Sequence, residues 1–162
     1  MPGGPDAREA QLLLRSKAAT ARLGRKLGTL LQAGDFVALF GDLGAGKTLF
    51  VRAAAEGAGT PDRASSPTFA LVNLYRGGRV DLQHLDLYRL AGAAELFALG
   101  FDDLLAEPAA TLCEWAERAG SALPEDRLEI ALAHAGENAR RARLSATGPR
   151  GAALLAGLVA RG

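Results

Sequence analysis

The residues that could do chemistry are concentrated in one short stretch, GDLGAGKT, at positions 41–48. It matches the pattern G-x-x-x-x-G-K-[ST] at every fixed position, a pattern in which the main-chain N–H groups of a glycine-rich loop surround phosphates. Lys47 would bring a positive charge to the β- and γ-phosphates, and the Thr48 hydroxyl would be a ligand for Mg²⁺. The alternative is a glycine-rich turn that binds nothing. The predicted phosphate-binding residues are Gly41, Asp42, Leu43, Gly44, Ala45, Gly46, Lys47 and Thr48.

The segments on either side of this loop are those that a phosphate-binding loop requires. Residues 36–40 form an uninterrupted apolar run, which predicts a strand buried on both faces of a largely parallel sheet. Residues 48–56 are rich in strong helix formers and are followed by Gly57 and Gly59, which predicts a helix that ends there. The order of strand, glycine-rich loop and helix therefore favours a nucleotide site over an empty turn.

Two carboxylates are candidates for the Mg²⁺ that accompanies a nucleotide. Asp86 closes the strand-like segment 80–86, and Glu114 ends the apolar run 110–114. At the carboxyl ends of parallel strands both would face the crevice beside the phosphates. One could hold the metal or its water while the other orients the attacking water, and the sequence does not divide these roles. Each could instead be a solvated strand end or a helix cap.

Four other residues have two interpretations each. Thr68 lies in the first loop after the predicted helix, where switch loops sense a γ-phosphate, although its local chemistry slightly favours a plain turn. Trp115 could cover a nucleotide or a partner surface, or pack in the core. His84 has no partners at metal-ligand spacing, so we predict a packed or hydrogen-bonded side chain. Because Cys113 is the only cysteine, the chain cannot form an intrachain disulfide, and we predict that Cys113 lies in a core strand.

Length and composition predict a single soluble globular domain. The chain has 162 residues, of which 49% are hydrophobic and 23% charged. A net charge of +1 gives no reason to expect binding to nucleic acid or membranes through bulk charge. No apolar run approaches the ~20 residues of a membrane span, and the start of the chain lacks signal-peptide features. We therefore expect a cytoplasmic protein that does not enter a membrane.

The fold class predicted from these patterns is α/β, a single P-loop NTPase-like domain with a central mixed sheet flanked by helices and with antiparallel hairpins. Residues 1–15 are predicted to be a flexible tail and residues 16–162 the domain. The other predicted elements are a helix from Ser16 to near Gly34, a loop over 60–67, hairpins over 69–85 and 127–147, and helices over 93–99 and 152–160.

Four blocks of sequence, in the same order, resemble the bacterial ATPase of tRNA threonylcarbamoyladenosine synthesis, the TsaE family. The P-loop alone is shared by many families, but its combination with the other three blocks is specific. The resemblance runs from about residue 16 to residue 132. Ala116 and Leu49 depart from it, since many relatives carry proline and a hydroxyl residue there. The blocks are GDLGAGKT at 41–48, SPTF at 66–69, HLDLYRL at 84–90 and EWAER at 114–118.

The resemblance implies an ATPase that binds ATP and Mg²⁺, with Lys47 and Thr48 at the phosphates and the metal. It implies that Asp86 is the Walker B-like carboxylate and that Glu114 is a second acid of the metal site. It also makes a switch-like role for Thr68 and a place near the nucleotide for Trp115 the favoured interpretations.

In that family the ATPase does not transfer the threonylcarbamoyl group itself. The resemblance implies two partners, a transferase subunit similar to TsaD and its paralogue similar to TsaB, and an indirect association with tRNA. ATP binding or hydrolysis would then support modification of the adenosine next to the anticodon in ANN-decoding tRNAs. No arginine finger is evident after the P-loop, so we expect a partner to complete the site and to stimulate hydrolysis.

Three other functions are alternatives to this one. A small-molecule kinase can be a single P-loop domain of this size, but it needs an acceptor pocket and mobile arginines, and no lid-like insertion is visible. A regulatory GTPase would carry an Asn-Lys-x-Asp motif, which is absent because Lys47 is the last lysine. A nucleotide-binding scaffold that acts only through its partners is the non-enzymatic alternative.

Overall fold

A computed structural model describes residues 8–42, 44–61, 63–65 and 72–160. These residues form one eight-stranded sheet with helices packed on it, which confirms the predicted mixed α/β class. No helix in the described ranges is both long enough and apolar enough to span a bilayer. The strands are β1 (Glu9–Leu14), β2 (Phe36–Phe40), β3 (Arg63–Ser65), β4 (Val72–Tyr75), β5 (Asp81–Asp86), β6 (Ala109–Glu114), β7 (Arg127–His134) and β8 (Arg140–Thr147). The helices are α1 (Lys17–Leu30), α2 (Lys47–Gly57), α3 (Ala93–Ala98), α4 (Phe101–Leu105) and α5 (Gly148–Val159), with short 3₁₀ turns at Ala116–Arg118 and Gly120–Ala122.

The sheet has a parallel centre and antiparallel flanks. Its strand order is β1-β8-β7-β2-β6-β5-β4-β3. β2 pairs in parallel with both β6 and β7, and β5 pairs in parallel with β6, whereas the outer pairs are antiparallel. The carboxyl ends of β5, β6, β2 and β7 therefore meet at one edge of the sheet, which is where ligands bind in open α/β sheets.

Each face of the parallel centre is covered by its own hydrophobic core. Val37 and Leu39 of β2 belong to the core shared with α1, α2 and α5, whereas Phe36 and Ala38 belong to the core shared with α3 and α4. Successive side chains of a strand point to opposite faces, so a strand that is covered on both faces must be apolar throughout. This is the physical origin of the uninterrupted run at 36–40.

Helix α1 packs against α2. It begins as predicted at Ser16, whose side-chain oxygen accepts a hydrogen bond of 3.0 Å from the Ala19 N–H. The two helices approach closely at Gly28, where an added Cβ would lie 2.1 Å from the Ala54 carbonyl oxygen. A larger residue at this position would push α2 away, so this glycine helps to determine where α2 begins relative to the sheet.

Helix α5 is joined to the loop before β2 by an ion pair. The Arg150 guanidinium donates two hydrogen bonds of 2.8 Å to the two carboxylate oxygens of the buried Asp35. The hydrogen bond to Asp35 raises the pKa of Arg150 above its ordinary value. The paired geometry satisfies a buried carboxylate and links α5 to the strand that precedes the P-loop.

Most predicted elements are confirmed, and three expectations need correction. Residues 9–14 were predicted as tail but form β1, which pairs with β8 over its whole length. Residues 63–65 were predicted as loop but form β3 beside β4, and α4 was not predicted at all. Helix α5 begins at Gly148, before the predicted start at 152. Residues 1–7 and 69–71 lie outside the described residues.

Candidate functional site

The glycine-rich loop connects β2 to the N-terminus of α2, as the sequence predicts. Gly41, Gly44 and Gly46 have φ angles of 139°, 81° and 103°, in the region that favours glycine. Gly46 is the N-cap of α2, and no side chain of the described residues caps that end. A glycine-rich loop that leads into a helix N-terminus is the arrangement that binds phosphate. Leu43, also predicted to bind phosphate, lies outside the described residues.

The first glycine of the loop is required by close packing as well as by its φ angle. A Cβ added to Gly41 would lie 2.5 Å from the Leu132 carbonyl oxygen of β7. The loop therefore turns directly against the neighbouring strand, and a side chain here would displace it.

Lys47 is nearly buried at the base of the loop, with 4% of its surface exposed. Its ammonium group donates a hydrogen bond to the Gly41 carbonyl oxygen and lies 3.6 Å from the centroid of the Trp115 ring, a cation–π contact. Burial lowers the pKa of Lys47, and nearby carboxylates, of which Glu114 has the largest effect, oppose that shift. A desolvated ammonium beside uncapped N–H groups is well suited to pair with phosphate oxygens.

Thr48 and Glu114 face each other across the start of α2. The Thr48 hydroxyl lies 3.3 Å and 3.4 Å from the two carboxylate oxygens of Glu114, which is 3% exposed. Glu114 reaches this position because β6 is the direct neighbour of β2, with Glu114 opposite Leu39. A hydroxyl and a carboxylate that converge in this way are the oxygen ligands that Mg²⁺ takes together with phosphates.

The described residues contain no group of three or more His, Cys, Asp and Glu side chains that could hold a metal ion. This composition is compatible with Mg²⁺, which binds through one or two protein oxygens plus substrate phosphates rather than through an all-protein cage.

His84 is a second partner of the Glu114 carboxylate. Its Nε2 lies 2.5 Å from a Glu114 carboxylate oxygen, and both side chains are buried. The prediction of a hydrogen-bonded histidine is thereby confirmed. The other ring nitrogen, Nδ1, is buried and has no hydrogen-bond partner among the residues described.

Asp86 lies beside Glu114 in the sheet but makes different contacts. The two residues are register partners at the ends of β5 and β6. The Asp86 carboxylate accepts a hydrogen bond of 3.0 Å from the Tyr88 N–H two residues on and remains partly exposed. Within the described ranges no hydrogen bond joins Asp86 to Thr48. The structure thus brings both predicted carboxylates to the same edge of the sheet, with Glu114 nearer to the P-loop.

Trp115 follows Glu114 in a left-handed backbone conformation, with φ of 57°. This region is unfavourable for a bulky residue and such strain is concentrated at functional sites. The ring contacts both the Lys47 ammonium and Tyr88, whose ring centroid is 5.0 Å away. The predicted contact of Trp115 with a nucleotide remains a prediction, and the geometry puts its ring at the P-loop lysine.

Two other sequence predictions have different outcomes. Cys113 is buried in β6, as predicted, and burial raises the pKa of its thiol, with smaller effects from nearby carboxylates. Thr68 lies outside the described residues together with the rest of the SPTF block, so its switch role stays a prediction.

One residue of the site was not predicted. Arg140, at the start of β8, donates hydrogen bonds to the carbonyl oxygens of Gly44 and Ala45 in the P-loop, at 3.2 Å and 3.0 Å. The only signal in the sequence is strand alternation, which assigns Arg140 to the same inward face as Ala142 and Leu144. An arginine at an inward position needs partners, but the pattern does not say which ones.

Comparisons with known proteins give the family of the chain. The family model described as "Threonylcarbamoyl adenosine biosynthesis protein TsaE" matches residues 14–142. The chain belongs to the TsaE family. The family resemblance inferred from the four sequence blocks is thereby confirmed.

Two curated TsaE relatives cover most of the chain. Both are named tRNA threonylcarbamoyladenosine biosynthesis protein TsaE. The one from Treponema pallidum is 42% identical over 118 residues, which is 73% of this chain and 87% of that protein. The one from Bacillus subtilis is 36% identical over 131 residues, which is 81% of this chain and 82% of that protein.

A solved structure shows the same fold. The crystal structure of YdiB from Bacillus subtilis superposes with a TM-score of 0.78 at 30% sequence identity, covering 93% of this chain and 94% of that one. This TsaE family member thus shares its architecture with a protein of known structure over nearly its whole length.

Proposed function

We propose that this TsaE family member binds ATP with Mg²⁺ in the P-loop and hydrolyses it in support of threonylcarbamoyl modification of tRNA. One observation carries the proposal. In the first turn of α2, whose N-terminus no described side chain caps, the Thr48 hydroxyl lies 3.3 Å and 3.4 Å from the two oxygens of the buried Glu114 carboxylate. The family membership supplies the tRNA pathway, since the relatives are named for threonylcarbamoyladenosine biosynthesis.

Each residue of the proposed site has a distinct task. The loop amides and Lys47 hold the phosphates, and Thr48 and Glu114 hold the metal. Asp86, one strand further from the loop, orients the attacking water or the water shell of the metal. Mg²⁺, when bound, neutralises phosphate charge that would otherwise oppose attack on the γ-phosphate. His84 keeps the Glu114 carboxylate directed at Thr48.

The partners that we propose are a transferase subunit similar to TsaD and a paralogue similar to TsaB, with tRNA associated through them. Their cellular compartment would be the cytoplasm, where tRNA substrates are found. Hydrolysis by the isolated chain should be slow, because positioning of water and stabilisation of γ-phosphate charge are left incomplete without a partner.

The proposal is tested by two measurements on the full chain. Trp115 is the only tryptophan, so its fluorescence can follow binding of ATP and Mg²⁺. Phosphate release is then measured with and without the transferase pair and tRNA. We expect ATP binding by the chain alone, and release that rises at least about tenfold in the assembled complex.

Lys47→Ala should lower ATP affinity by about 100-fold or more, because it removes the buried ammonium at the loop. Lys17→Ala, which removes an exposed lysine at the start of α1, is the matched control and should bind ATP as the wild type does. Transfer of phosphate from ATP to a metabolite would favour a small-molecule kinase. Binding without hydrolysis in every mixture would favour a scaffold that acts only through partners.

A further inference from the structure

Arg140 is a buried cation whose described contacts are all with main-chain carbonyl groups. It is 7% exposed. Its Nε donates to Ala45 O at 3.0 Å and its Nη2 to Gly44 O at 3.2 Å, while its Nη1 donates to Ala139 O at 2.8 Å and to Glu137 O at 3.5 Å. One end of the β7–β8 hairpin is thus attached to the middle of the P-loop.

The charge of Arg140 has no carboxylate partner in the part of the chain that the structure describes. The ion pairs found there join other residues, and none within 4.0 Å involves this guanidinium. Burying a cation is costly unless an anion or several hydrogen bonds compensate it. Carbonyl dipoles provide part of that compensation, and the phosphates proposed to bind in the same loop would provide the rest.

The two P-loop contacts also determine where the loop's amides point. A trans peptide unit is planar, so its N–H group points away from its C=O group. The Gly44 carbonyl shares a peptide unit with the Ala45 N–H, and the Ala45 carbonyl shares one with the Gly46 N–H. Because Arg140 binds both carbonyl oxygens, the two N–H groups of these peptide units point away from Arg140, toward the interior of the loop. There the Ala45 N–H donates a hydrogen bond of 3.0 Å to Asp42 O.

We propose that Arg140 is a positioning residue that holds the P-loop in its phosphate-binding shape and contributes a buried positive charge behind it. This inference rests on the proposed function, since it presumes that phosphates are the ligand. It assigns to β8 a role in the site that is independent of Lys47, Thr48 and the two carboxylates.

The test compares Arg140→Gln, Arg140→Lys and the control Arg141→Gln, which makes the same charge change at the next, exposed residue of the strand. Affinities for ATP and ADP with Mg²⁺ are measured by calorimetry on the full chain. We expect Arg140→Gln to lower the affinity for both nucleotides at least about tenfold relative to Arg141→Gln, equivalent to about 1.4 kcal/mol of binding free energy. Arg140→Lys should recover part of this loss, because it keeps the charge but cannot bond both carbonyl groups with the same geometry.

Amide hydrogen exchange without nucleotide separates positioning from general stability. Arg140→Gln should accelerate exchange at the Ala45 N–H while leaving the amides of α1 and β2 unchanged, whereas a merely structural role would accelerate exchange throughout the sheet. ATP affinity of Arg140→Gln within twofold of the control would overturn the inference.

The remaining outcomes are also decisive. If Arg140→Gln does not fold, Arg140→Lys provides the test. We expect Arg140→Lys to bind ATP at least about threefold more weakly than the wild type. Equal binding would refute the positioning role of Arg140. If the wild-type chain itself binds neither ATP nor ADP, the proposed function fails and the role toward phosphate fails with it. The exchange rate of the Ala45 N–H then still tests whether Arg140 holds the P-loop in place, independently of any nucleotide.

Discussion

The carboxyl ends of β5 and β6 carry the same chemical group in two different environments. Asp86 and Glu114 are register partners on adjacent parallel strands. Glu114 is buried, bonded to His84 and within hydrogen-bond range of Thr48, whereas Asp86 is partly exposed and caps its own turn at Tyr88. Neighbouring positions in a sheet therefore do not imply equal chemical roles.

The difference follows from strand order. β6 lies directly beside β2, from which the P-loop emerges, and β5 lies one strand further away. Adjacent strands are about 4.8 Å apart, so the extra strand moves Asp86 away from Thr48 by more than the reach of a hydrogen bond. We infer that Glu114 is the metal ligand and that Asp86 acts through water. Three predictions test this division.

The largest effect is expected for Glu114→Gln. An amide keeps the size of the side chain but lacks the negative charge that Mg²⁺ prefers. Stimulated phosphate release at saturating ATP should fall by at least about 100-fold, equivalent to about 2.7 kcal/mol of activation free energy. Glu107→Gln, an exposed residue just before the opposite end of β6, is the control and should retain wild-type turnover. Wild-type turnover in Glu114→Gln would remove this carboxylate from the mechanism.

His84→Leu should lower the free energy of unfolding by about 1–3 kcal/mol, because a buried carboxylate oxygen of Glu114 loses the shorter of its two hydrogen-bond contacts and keeps only the one to Thr48. Urea titration of the nucleotide-free chain measures this change. His84→Gln, which can still donate to the carboxylate, should lose less. Equal stability of the leucine variant and the wild type would show that Glu114 does not depend on this contact.

Asp86→Asn is expected to have the smallest effect. Its side-chain oxygen can still accept from the Tyr88 N–H, so stability should stay within about 0.5 kcal/mol of the wild type. Turnover should fall about tenfold or less, which corresponds to about 1.4 kcal/mol. Asp81→Asn, at the opposite end of the same strand, is the matched control. A loss as large as that of Glu114→Gln would show that the two carboxylates share the metal equally.

Elements with a strong local pattern could be predicted from the sequence. Strand β2, helix α1 and the hairpin of β7 and β8 have apolar periodicity or clear capping and turn residues. The predicted bounds of β2 and of the hairpin agree with the structure, and α1 begins as predicted but ends at Leu30, before the predicted end near Gly34. β1 could not be recognised, because it precedes the first helix signal and is stabilised by pairing with β8, at the other end of the chain. α4 is only five residues long, too short to show a helical period.

The residues of the site likewise fall into those that the sequence could predict and those that it could not. Lys47, Thr48, Asp86 and Glu114 could be selected as candidates because residue type and position at strand or loop ends are local properties. Arg140 could not be selected, since its P-loop partners lie 95 and 96 residues away in the sequence. Only chain folding makes them neighbours.

The sequence by itself determined the glycine-rich loop, the buried strand before it and the helix after it, and its four blocks together determined the family. These features depend on residue types at short spacing, through backbone sterics, helix capping and apolar periodicity. Only the tertiary structure decided that Glu114 lies nearer than Asp86 to Thr48 and that Arg140 forms hydrogen bonds with P-loop carbonyl oxygens. The reason is that strand order and register arise from pairings between distant segments, and these pairings are selected by the packing of two complete cores rather than by any local pattern.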